Sequence, residues 1–355
     1  MPGRTNPRGT FLFAVAVMAV WAAAQLGCAG GGSADEATRT EEGTTAPTQA
    51  GETGPVASEQ DVIEAGATEI QITGDWLAAG DGAVWLSNPP SREIYRLDPE
   101  SGETVATVSV PEGPCAATDF GFGALWTITC DKLGLAKIDP ATNRVVTHVA
   151  LRVSAALDGG EASVGVGEGA VWIVLQRRDC ESCLLGRIDP RSVRVVARIP
   201  VREGAAAVRV GEGAVWVTNP AKSLVQKIDP RRNRVVATTA VGPTPRFLAV
   251  GEGGVWTLNQ GDGSVTRLDP TSGDVVATIP ANVTGGGGDI TTGAGSVWVR
   301  GSGYLLTRID PGKNTVAARY GPSSGSGAVI VASGVVWLSA HDVGTVWRLP
   351  PGRAG

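Results

Sequence analysis

Histidine and methionine are nearly absent from this sequence, with two of each among 355 residues. So few imidazole groups leave little material for histidine-based metal sites or acid–base catalysis. Basic residues are not in excess either, because 30 lysines and arginines face 35 acidic residues for a net charge of −5. Proteins that bind nucleic acid usually carry a clustered basic excess, so the composition argues against a nucleic-acid partner.

The N-terminal apolar run, Phe11 to Ala24, has 14 residues and is shorter than the ~20 residues of a membrane-spanning helix. Arg4 and Arg8 precede it, and Gln-Leu-Gly and Cys28 follow it, which is the order of an export signal. The segment resembles a bacterial lipobox, whose cysteine becomes the lipid-modified first residue of the mature protein. The resemblance implies a signal peptide over 1–28 and lipidation of Cys28 at the outer face of the cytoplasmic membrane. Ordinary cleavage nearby, with Cys28 incidental, is the alternative.

Large apolar side chains are scarce between residues 29 and 60, where Val56 is the one large aliphatic and aromatics are lacking. Six acidic residues face a single arginine there. Such a segment cannot bury enough apolar surface to offset the entropy of ordering it. We therefore predict a disordered tether over 29–60, with a reach of about 30 Å, ahead of a folded domain at 61–350 and a tail at 351–355.

Tryptophan, in contrast, is frequent, and it marks a repeat. The string Gly-Ala-Val-Trp, or a close variant, recurs seven times at intervals of 39 to 46 residues. Its tryptophans are Trp85, Trp126, Trp172, Trp216, Trp256, Trp298 and Trp337. An Asp-Pro pair follows each of the first six, and the seventh copy has Leu349-Pro350 in that place.

Each repeat contains four short runs rich in valine and isoleucine, separated by Gly, Pro, Asn and Asp. In the fourth copy these runs are 206–210, 214–218, 224–228 and 234–238. Such runs are typical of short β-strands, and four strands per ~42 residues are typical of a propeller blade. The sequence predicts an all-β, seven-bladed β-propeller with four-stranded blades.

The seventh repeat stops after its third run, Thr345 to Leu349, and lacks a fourth. A strand-like run without a repeat of its own, Ala67 to Ile72, lies ahead of the first copy. We predict that this N-terminal strand completes the last blade, because this arrangement closes the ring and removes an exposed sheet edge.

The repeated tryptophans and Asp-Pro pairs are predicted to be structural. A tryptophan at one fixed position of every blade suits a large filler between neighbouring sheets. Asp-Pro suits the start of a turn, where the carboxylate binds nearby backbone amides. A ligand site, by contrast, usually breaks the symmetry of a repeat.

The unit Val-Gly-Glu-Gly-Ala-Val-Trp-Val-Thr-Asn, followed by Ile-Asp-Pro and Val-Val-Ala-Thr, resembles the streptogramin-lyase-like (virginiamycin B lyase-like) and YVTN/NHL-type propellers. The resemblance covers residues 61–350 and implies the propeller fold. The lyase of that family uses histidine and glutamate with a magnesium ion on one face of its propeller. This chain has His148 and His341, and no His/Glu set stands at matching positions.

Five cysteines fit an oxidising compartment once Cys28 carries lipid. Cys115 and Cys130 flank a predicted hairpin turn at equal distances, so we predict a disulfide across its two strands. Cys180 and Cys183 form Cys-Glu-Ser-Cys in a longer loop of the third repeat. We predict a second disulfide between them that staples this loop, and a redox or metal site is the alternative.

Residues that interrupt the repeat show where a ligand would bind. The loops before each first strand and after each second strand open on one face, around the central channel. The candidate ligand-binding residues there are Asp75, Arg246, Asp289, Arg300 and His341, beside the aromatic Trp76 and Phe247. Arg246 would hold an anion, and Asp75 or Asp289 would hold a cation or hydroxyl groups. An ordinary solvated rim of polar loops is the alternative.

Three functions are compatible with these features. The first is a lipid-anchored, monomeric binding or scaffold module for a small ligand or an envelope protein, with no cofactor. The second is an enzyme that resembles the lyase or a sugar-lactone hydrolase, with a divalent cation at the channel mouth. The third is a partner in envelope assembly or sensing that uses one face to dock proteins. The absence of a nucleophile–base constellation favours the first function.

Overall fold

The computed structural model describes residues 59–151, 163–176, 183–283 and 287–352. Within these ranges the chain forms seven β-sheets, six with four strands and one with five, which confirms the predicted seven-bladed propeller. The predicted signal peptide and Cys28 lie outside the described residues. The described part of the chain contains no helix that is long and apolar enough to cross a membrane.

The first half of the ring comprises two short strands and three blades. The short strands are β1 (Glu59–Asp61) and β2 (Thr68–Gln71). Blade 1 contains β3 (Leu77–Gly80), β4 (Ala83–Asn88), β5 (Glu93–Leu97) and β6 (Thr104–Ser109). Blade 2 contains β7 (Pro114–Gly121), β8 (Ala124–Thr129), β9 (Gly134–Asp139) and β10 (Arg144–Ala150). Blade 3 contains β11 (Val164–Gly167), β12 (Ala170–Gln176), β13 (Cys183–Asp189) and β14 (Arg194–Val201).

The second half comprises four blades. Blade 4 contains β15 (Val208–Gly211), β16 (Ala214–Asn219), β17 (Leu224–Asp229) and β18 (Arg234–Ala240). Blade 5 contains β19 (Pro245–Gly251), β20 (Gly254–Asn259), β21 (Ser264–Leu268) and β22 (Val275–Ile279). Blade 6 contains β23 (Asp289–Gly293), β24 (Ser296–Arg300), β25 (Leu306–Asp310) and β26 (Thr315–Gly321). Blade 7 contains β27 (Val329–Ala332), β28 (Val335–Ala340) and β29 (Thr345–Leu349). Short 3₁₀ turns, Pro89–Ser91 and Pro220–Lys222, join the second and third strands of blades 1 and 4.

The first strand of each blade lies innermost. These seven strands, β3, β7, β11, β15, β19, β23 and β27, contact one another in sequence, and β27 contacts β3 again. The ring is therefore closed around a central axis. Successive strands of each blade run antiparallel from this axis outward.

The N-terminal strand completes the last blade, as predicted. β2 pairs antiparallel with β29, with Thr68 opposite Arg348 and Gln71 opposite Thr345. The observed strand is two residues shorter than the predicted run of 67–72. A further strand, β1, begins at Glu59, inside the predicted tether of 29–60, and pairs in parallel with β26 of blade 6. The polar sequence Glu-Gln-Asp gave no apolar signal for it.

The seven repeated tryptophans are the largest side chains of the core, and all are fully buried. In six blades the indole N–H donates to the carbonyl oxygen of a glycine five residues earlier, at 3.0–3.4 Å. Blade 7 has Ala332 at that position, and Nε1 of Trp337 has no hydrogen-bond partner. The tryptophans therefore have the predicted structural role, and in six blades a hydrogen bond adds to the effect of their burial.

A cationic side chain on the third strand covers each tryptophan. It stands directly opposite the tryptophan in the strand register, with its charged group 4.9–5.7 Å from the ring. In six blades the same cation also donates at 2.7–2.9 Å to the proline carbonyl of the next blade's Asp-Pro turn. The exception is Arg308, which faces the blade that lacks Asp-Pro and donates instead to Ser296 Oγ.

The glycine that accepts the indole N–H also lets the next blade approach. A Cβ on Gly167 would lie 2.8 Å from Cγ1 of Val210 in blade 4, and its φ of 156° is one that side chains disfavour. Ala332 replaces this glycine in blade 7. Ala79, at the position of blade 1 that corresponds to Val210, is correspondingly small.

The disulfide between Cys115 and Cys130 is present, with 5.7 Å between the two Cα atoms. It confirms the predicted pairing, although a bulge shifts the register of β7 and β8 between Pro114 and Thr118. Cys183 is buried and forms no disulfide with another cysteine of the described residues. Cys180 lies outside the described residues, so the Cys180–Cys183 disulfide stays a prediction.

The indole hydrogen bond predicts unequal effects of one substitution in two blades. Trp256→Phe removes a 3.0 Å bond to Gly251, whereas Trp337→Phe removes an N–H that has no partner. Both changes lose the same volume from the core. We expect Trp256→Phe to lower the free energy of unfolding by about 1 kcal/mol or more beyond Trp337→Phe. Chemical denaturation of both variants measures the difference, and equal losses would contradict this account.

A candidate functional site at the channel mouth

Two predicted residues meet at the end of the ring where the second strands finish. Asp75 precedes β3, His341 follows β28, and the His341 Nδ1 atom lies 3.3 Å from Asp75 Oδ1. Burial raises the pKa of Asp75, and the neighbouring imidazole partly opposes this rise. The His341 side chain is 44% exposed. The pair therefore presents a carboxylate and an imidazole to solvent.

Asp289 lies deeper than the sequence indicated, because the residue is 4% exposed. Its Oδ1 accepts the N–H of Ile290 at 2.9 Å, and its Oδ2 accepts the N–H of Val329 in the next blade at 3.3 Å. Burial raises its pKa to about 6; Arg209 opposes the rise, and the charge of Asp75 adds to it. Asp289 therefore joins blades 6 and 7 and is electrostatically coupled to the mouth.

Sequence reasoning missed two charged residues of the inner strands. The guanidinium of Arg209, on β15, lies 4.0 Å from Asp289 and donates to Ser163 Oγ at 2.9 Å. The Asp119 carboxylate, on β7, accepts the N–H of Val166 at 2.8 Å. Burial raises the pKa of Asp119, and Arg209 opposes this rise. Blades 2, 4 and 6 thus contribute one connected charge cluster around the axis.

A signal for these residues was present in the repeat. Asp119 and Arg209 are the residues directly opposite the tryptophans of their blades. The other blades have uncharged residues there, namely Ala78, Gly165, Ala249, Thr291 and Ile330. An alignment of the seven repeats at this position would have shown two charged residues among five that are apolar or small.

An aromatic pair spans the ring below the mouth. Trp76 of blade 1 and Phe247 of blade 5 are both buried, and their ring centroids are 6.2 Å apart. These blades are not neighbours, so the two side chains meet across the axis. The Arg246 guanidinium lies 5.7 Å from the Phe247 ring centroid, and Arg246 itself is half-buried.

Arg300, predicted as a ligand contact, is fully buried. Its Nη1 donates to the carbonyls of Gly301 and Leu305, and its Nη2 donates to those of Ser324 and Gly325. Nε donates to a carbonyl of blade 7 at 3.4 Å. Burial lowers the pKa of Arg300 to about 10, so the side chain stays charged at neutral pH. All five donors are used by backbone oxygens, and Arg300 ties loops together rather than facing a ligand.

Two carboxylates stand together at the mouth, because Asp75 lies near Asp342, whose Oδ1 accepts the N–H of Ser326 at 2.8 Å. Such a surface suits hydroxyl, ammonium or guanidinium groups as hydrogen-bond donors. Among the described residues, no group of three or more His, Cys, Asp or Glu side chains is arranged to hold a metal ion.

Solved structures similar to this chain are propellers. BamB from Moraxella catarrhalis aligns with a TM-score of 0.55 and 13% identity over 79% of this chain and 83% of that one. The Pan2 WD40 domain of Neurospora crassa aligns with a TM-score of 0.59 and 10% identity over 79% and 90% of the two chains. The sequence matches no protein-family model and no curated protein. At such identities the likeness shows the fold alone, that of a β-propeller.

The raised pKa of Asp289 predicts a pH-dependent stability. Its folded-state pKa of about 6 exceeds the ordinary 3.8, so the folded state binds more protons in this window and becomes less stable as pH rises through it. Residue 289 stays neutral at every pH in the Asp289→Asn variant. Between about pH 4 and pH 7 the free energy of unfolding of this variant should therefore fall by less than that of the parent chain, and the difference should be about 3 kcal/mol at most. Denaturant titrations at several pH values measure this slope.

Asp229→Asn is the matched control. Hydrogen bonds from Arg232 lower the pKa of Asp229 to about 2, so its stabilising contribution is lost only as pH falls below the ordinary 3.8. Between about pH 4 and pH 7, the free energy of unfolding of this variant should change with pH as it does in the parent chain. An unchanged slope in Asp289→Asn would contradict the assigned pKa.

Proposed function

We propose that this chain is an exported, lipid-anchored β-propeller that binds a protein or small ligand at its channel mouth and acts as a binding or scaffold module. One observation carries the proposal. The Asp75–His341 pair is partly exposed to solvent and breaks a repeat whose recurring positions are used for packing between blades. A scaffold needs identical contacts in each blade, whereas recognition needs residues that differ between blades.

The ligand chemistry follows from the charges around the pair. Asp75 and Asp342 provide carboxylates at the mouth, and Asp289 lies behind them. The aromatic pair of Trp76 and Phe247 spans the axis below, so a ligand rests on the mouth rather than passing through the ring. Ligands that donate hydrogen bonds, such as a lysine or arginine side chain or a polyhydroxylated compound, fit this surface.

Export and anchoring are proposed from the sequence features of residues 1–28. The disulfide in blade 2 supports an oxidising compartment. A lipid at Cys28, followed by the acidic segment up to residue 58, would hold the propeller close to a membrane surface. A cysteine that carries several acyl chains anchors a protein firmly, whereas a single acyl chain binds a membrane only marginally.

Fractionation of cells tests the anchor. The parent chain should sediment with membranes, and mass spectrometry should find Cys28 acylated with no peptide from residues 1–27. Cys28→Ser should shift the chain to the soluble fraction, because the only proposed membrane attachment is removed. Cys183→Ser is the control that removes a different cysteine, one that lies within the propeller. A Cys28→Ser chain that stays in the membrane fraction would refute the anchor.

Affinity capture from a bacterial envelope fraction tests the mouth. The full chain is compared with the double variant Asp75→Ala/His341→Ala, which removes both side chains of the pair. We expect the variant to lose its specific ligand by about tenfold or more in recovery, as for loss of a charged hydrogen-bonded pair. Glu100→Ala removes an exposed carboxylate from the Asp-Pro turn of blade 1 and should leave recovery unchanged. Equal capture by both variants would contradict binding at the mouth.

A further inference from the structure

The circumference of the propeller offers a second binding surface. In the described chain, one blade carries a strand beyond its four: β1 pairs in parallel with β26, with Glu59 opposite Arg319 and Asp61 opposite Gly321. This acidic segment shows that the outer edge of a blade accepts an added extended strand. Among the described residues, no strand pairs with the outer side of the outermost strands of the other blades, which are β2, β6, β10, β14, β18 and β22.

The outer edge of blade 4 presents free backbone groups. Val241 donates its N–H inward to the carbonyl of Ser223 at 3.0 Å. Because amides alternate in direction along a strand, the N–H groups of Ala240 and Thr238 in β18 point outward. The same alternation holds in blade 1, where Val110 donates inward and the amide of Thr107 in β6 points outward.

Two other blades have proline on this edge. Pro200 pairs with Leu184 in blade 3 just as Ala240 pairs with Leu224 in blade 4. Pro280 follows β22 at the corresponding place in blade 5. Proline has no N–H, so these edges lack one donor that an added strand would use. The edge of blade 4 keeps its donors.

The number of basic residues distinguishes the edge of blade 4, which carries three arginines, from the edge of blade 2, which carries one at this place, Arg144. Arg231, Arg232 and Arg234 are exposed at the start of β18, and within the described residues one of the three, Arg232, forms a salt bridge, with Asp229. Val236 is 46% exposed beside them. The edge of blade 1, by contrast, is flanked by exposed acids, and β2 of blade 7 contains Glu69.

We propose that β18 docks an extended acidic segment of a partner protein, which pairs with the open edge of blade 4 as β1 pairs with blade 6. Main-chain hydrogen bonds to Thr238 and Ala240 provide affinity, and the three arginines select for acidic residues. This surface lies on the circumference and is distinct from the channel mouth.

A synthetic peptide of about eight residues, an ordinary strand length, is the probe. It alternates Glu with Val and Thr and carries a fluorophore, and its anisotropy is measured with the full chain. Thr238→Pro removes an outward N–H that the fold does not use, so the blade should keep its stability. We expect this variant to weaken peptide binding about tenfold or more. Thr107→Pro, the matched change on the acidic edge of blade 1, should leave binding unchanged.

Two further measurements make the test independent of how Thr238→Pro folds. A peptide of the same charge, N-methylated at alternate residues, cannot pair as a strand and should bind the parent chain about tenfold more weakly. The double variant Arg231→Gln/Arg234→Gln should weaken binding and reduce its salt dependence. Asp75→Ala/His341→Ala should leave peptide binding unchanged, which separates this surface from the channel mouth.

Three results would overturn the proposal. Equal binding of the methylated and unmethylated peptides would show that only charge attracts the peptide. Unchanged binding by a folded Thr238→Pro would place the peptide elsewhere. Strong binding to phosphatidylglycerol-containing vesicles, lost in the arginine variant while the peptide fails to bind, would identify the basic edge as a membrane-facing surface.

Discussion

The contact between a tryptophan, the cation opposite it and the proline carbonyl of the next blade holds this ring together. The tryptophan packs against the next blade, as Trp216 does against Leu248 and Leu268 of blade 5, and the Arg or Lys over its indole reaches the turn of that next blade. Burial fixes the orientation of the indole, and the face of the indole positions the cation. The cation in turn donates a hydrogen bond to a turn carbonyl. Repetition of this one unit joins neighbouring blades around most of the circumference, and Arg348 extends it from the last blade to Pro99 of the first.

Blade 7 departs from this unit, and its neighbours compensate. It lacks the Asp-Pro turn, so Arg308 donates within its own blade. It has Ala332 in place of the glycine, and the facing position of blade 1 is the small Ala79. Its fourth strand comes from β2 at the other end of the domain. These departures all lie in the blade whose strands come from both ends of the domain, where no turn leads from the third strand to a fourth strand of the same repeat.

The sequence predicted where the candidate site lies but not the role of each of its residues. Asp75 and His341 were found because they interrupt the repeat, and the structure places them in contact. Arg300 interrupts it as well, yet its donors all serve backbone carbonyls. A residue that differs from the repeat can therefore be recognised in the sequence, but the sequence does not show whether it binds a ligand or stabilises a loop. Arg209 and Asp119 stand out when the repeats are aligned, but their interaction could not be predicted, because they lie on blades far apart in the sequence and residue spacing does not give a distance across the axis.

The sequence by itself determined the number of blades, the role of the tryptophans, the Cys115–Cys130 disulfide and the strand that closes the ring. These features arise from local β-propensity, from turn chemistry and from a period that repeats, all of which act between neighbours in the chain. The tertiary structure alone decided that Asp289 is buried beside Arg209, that Trp76 meets Phe247 across the axis and that β1 pairs with blade 6. These contacts join distant segments, so they depend on how the closed ring brings its blades together.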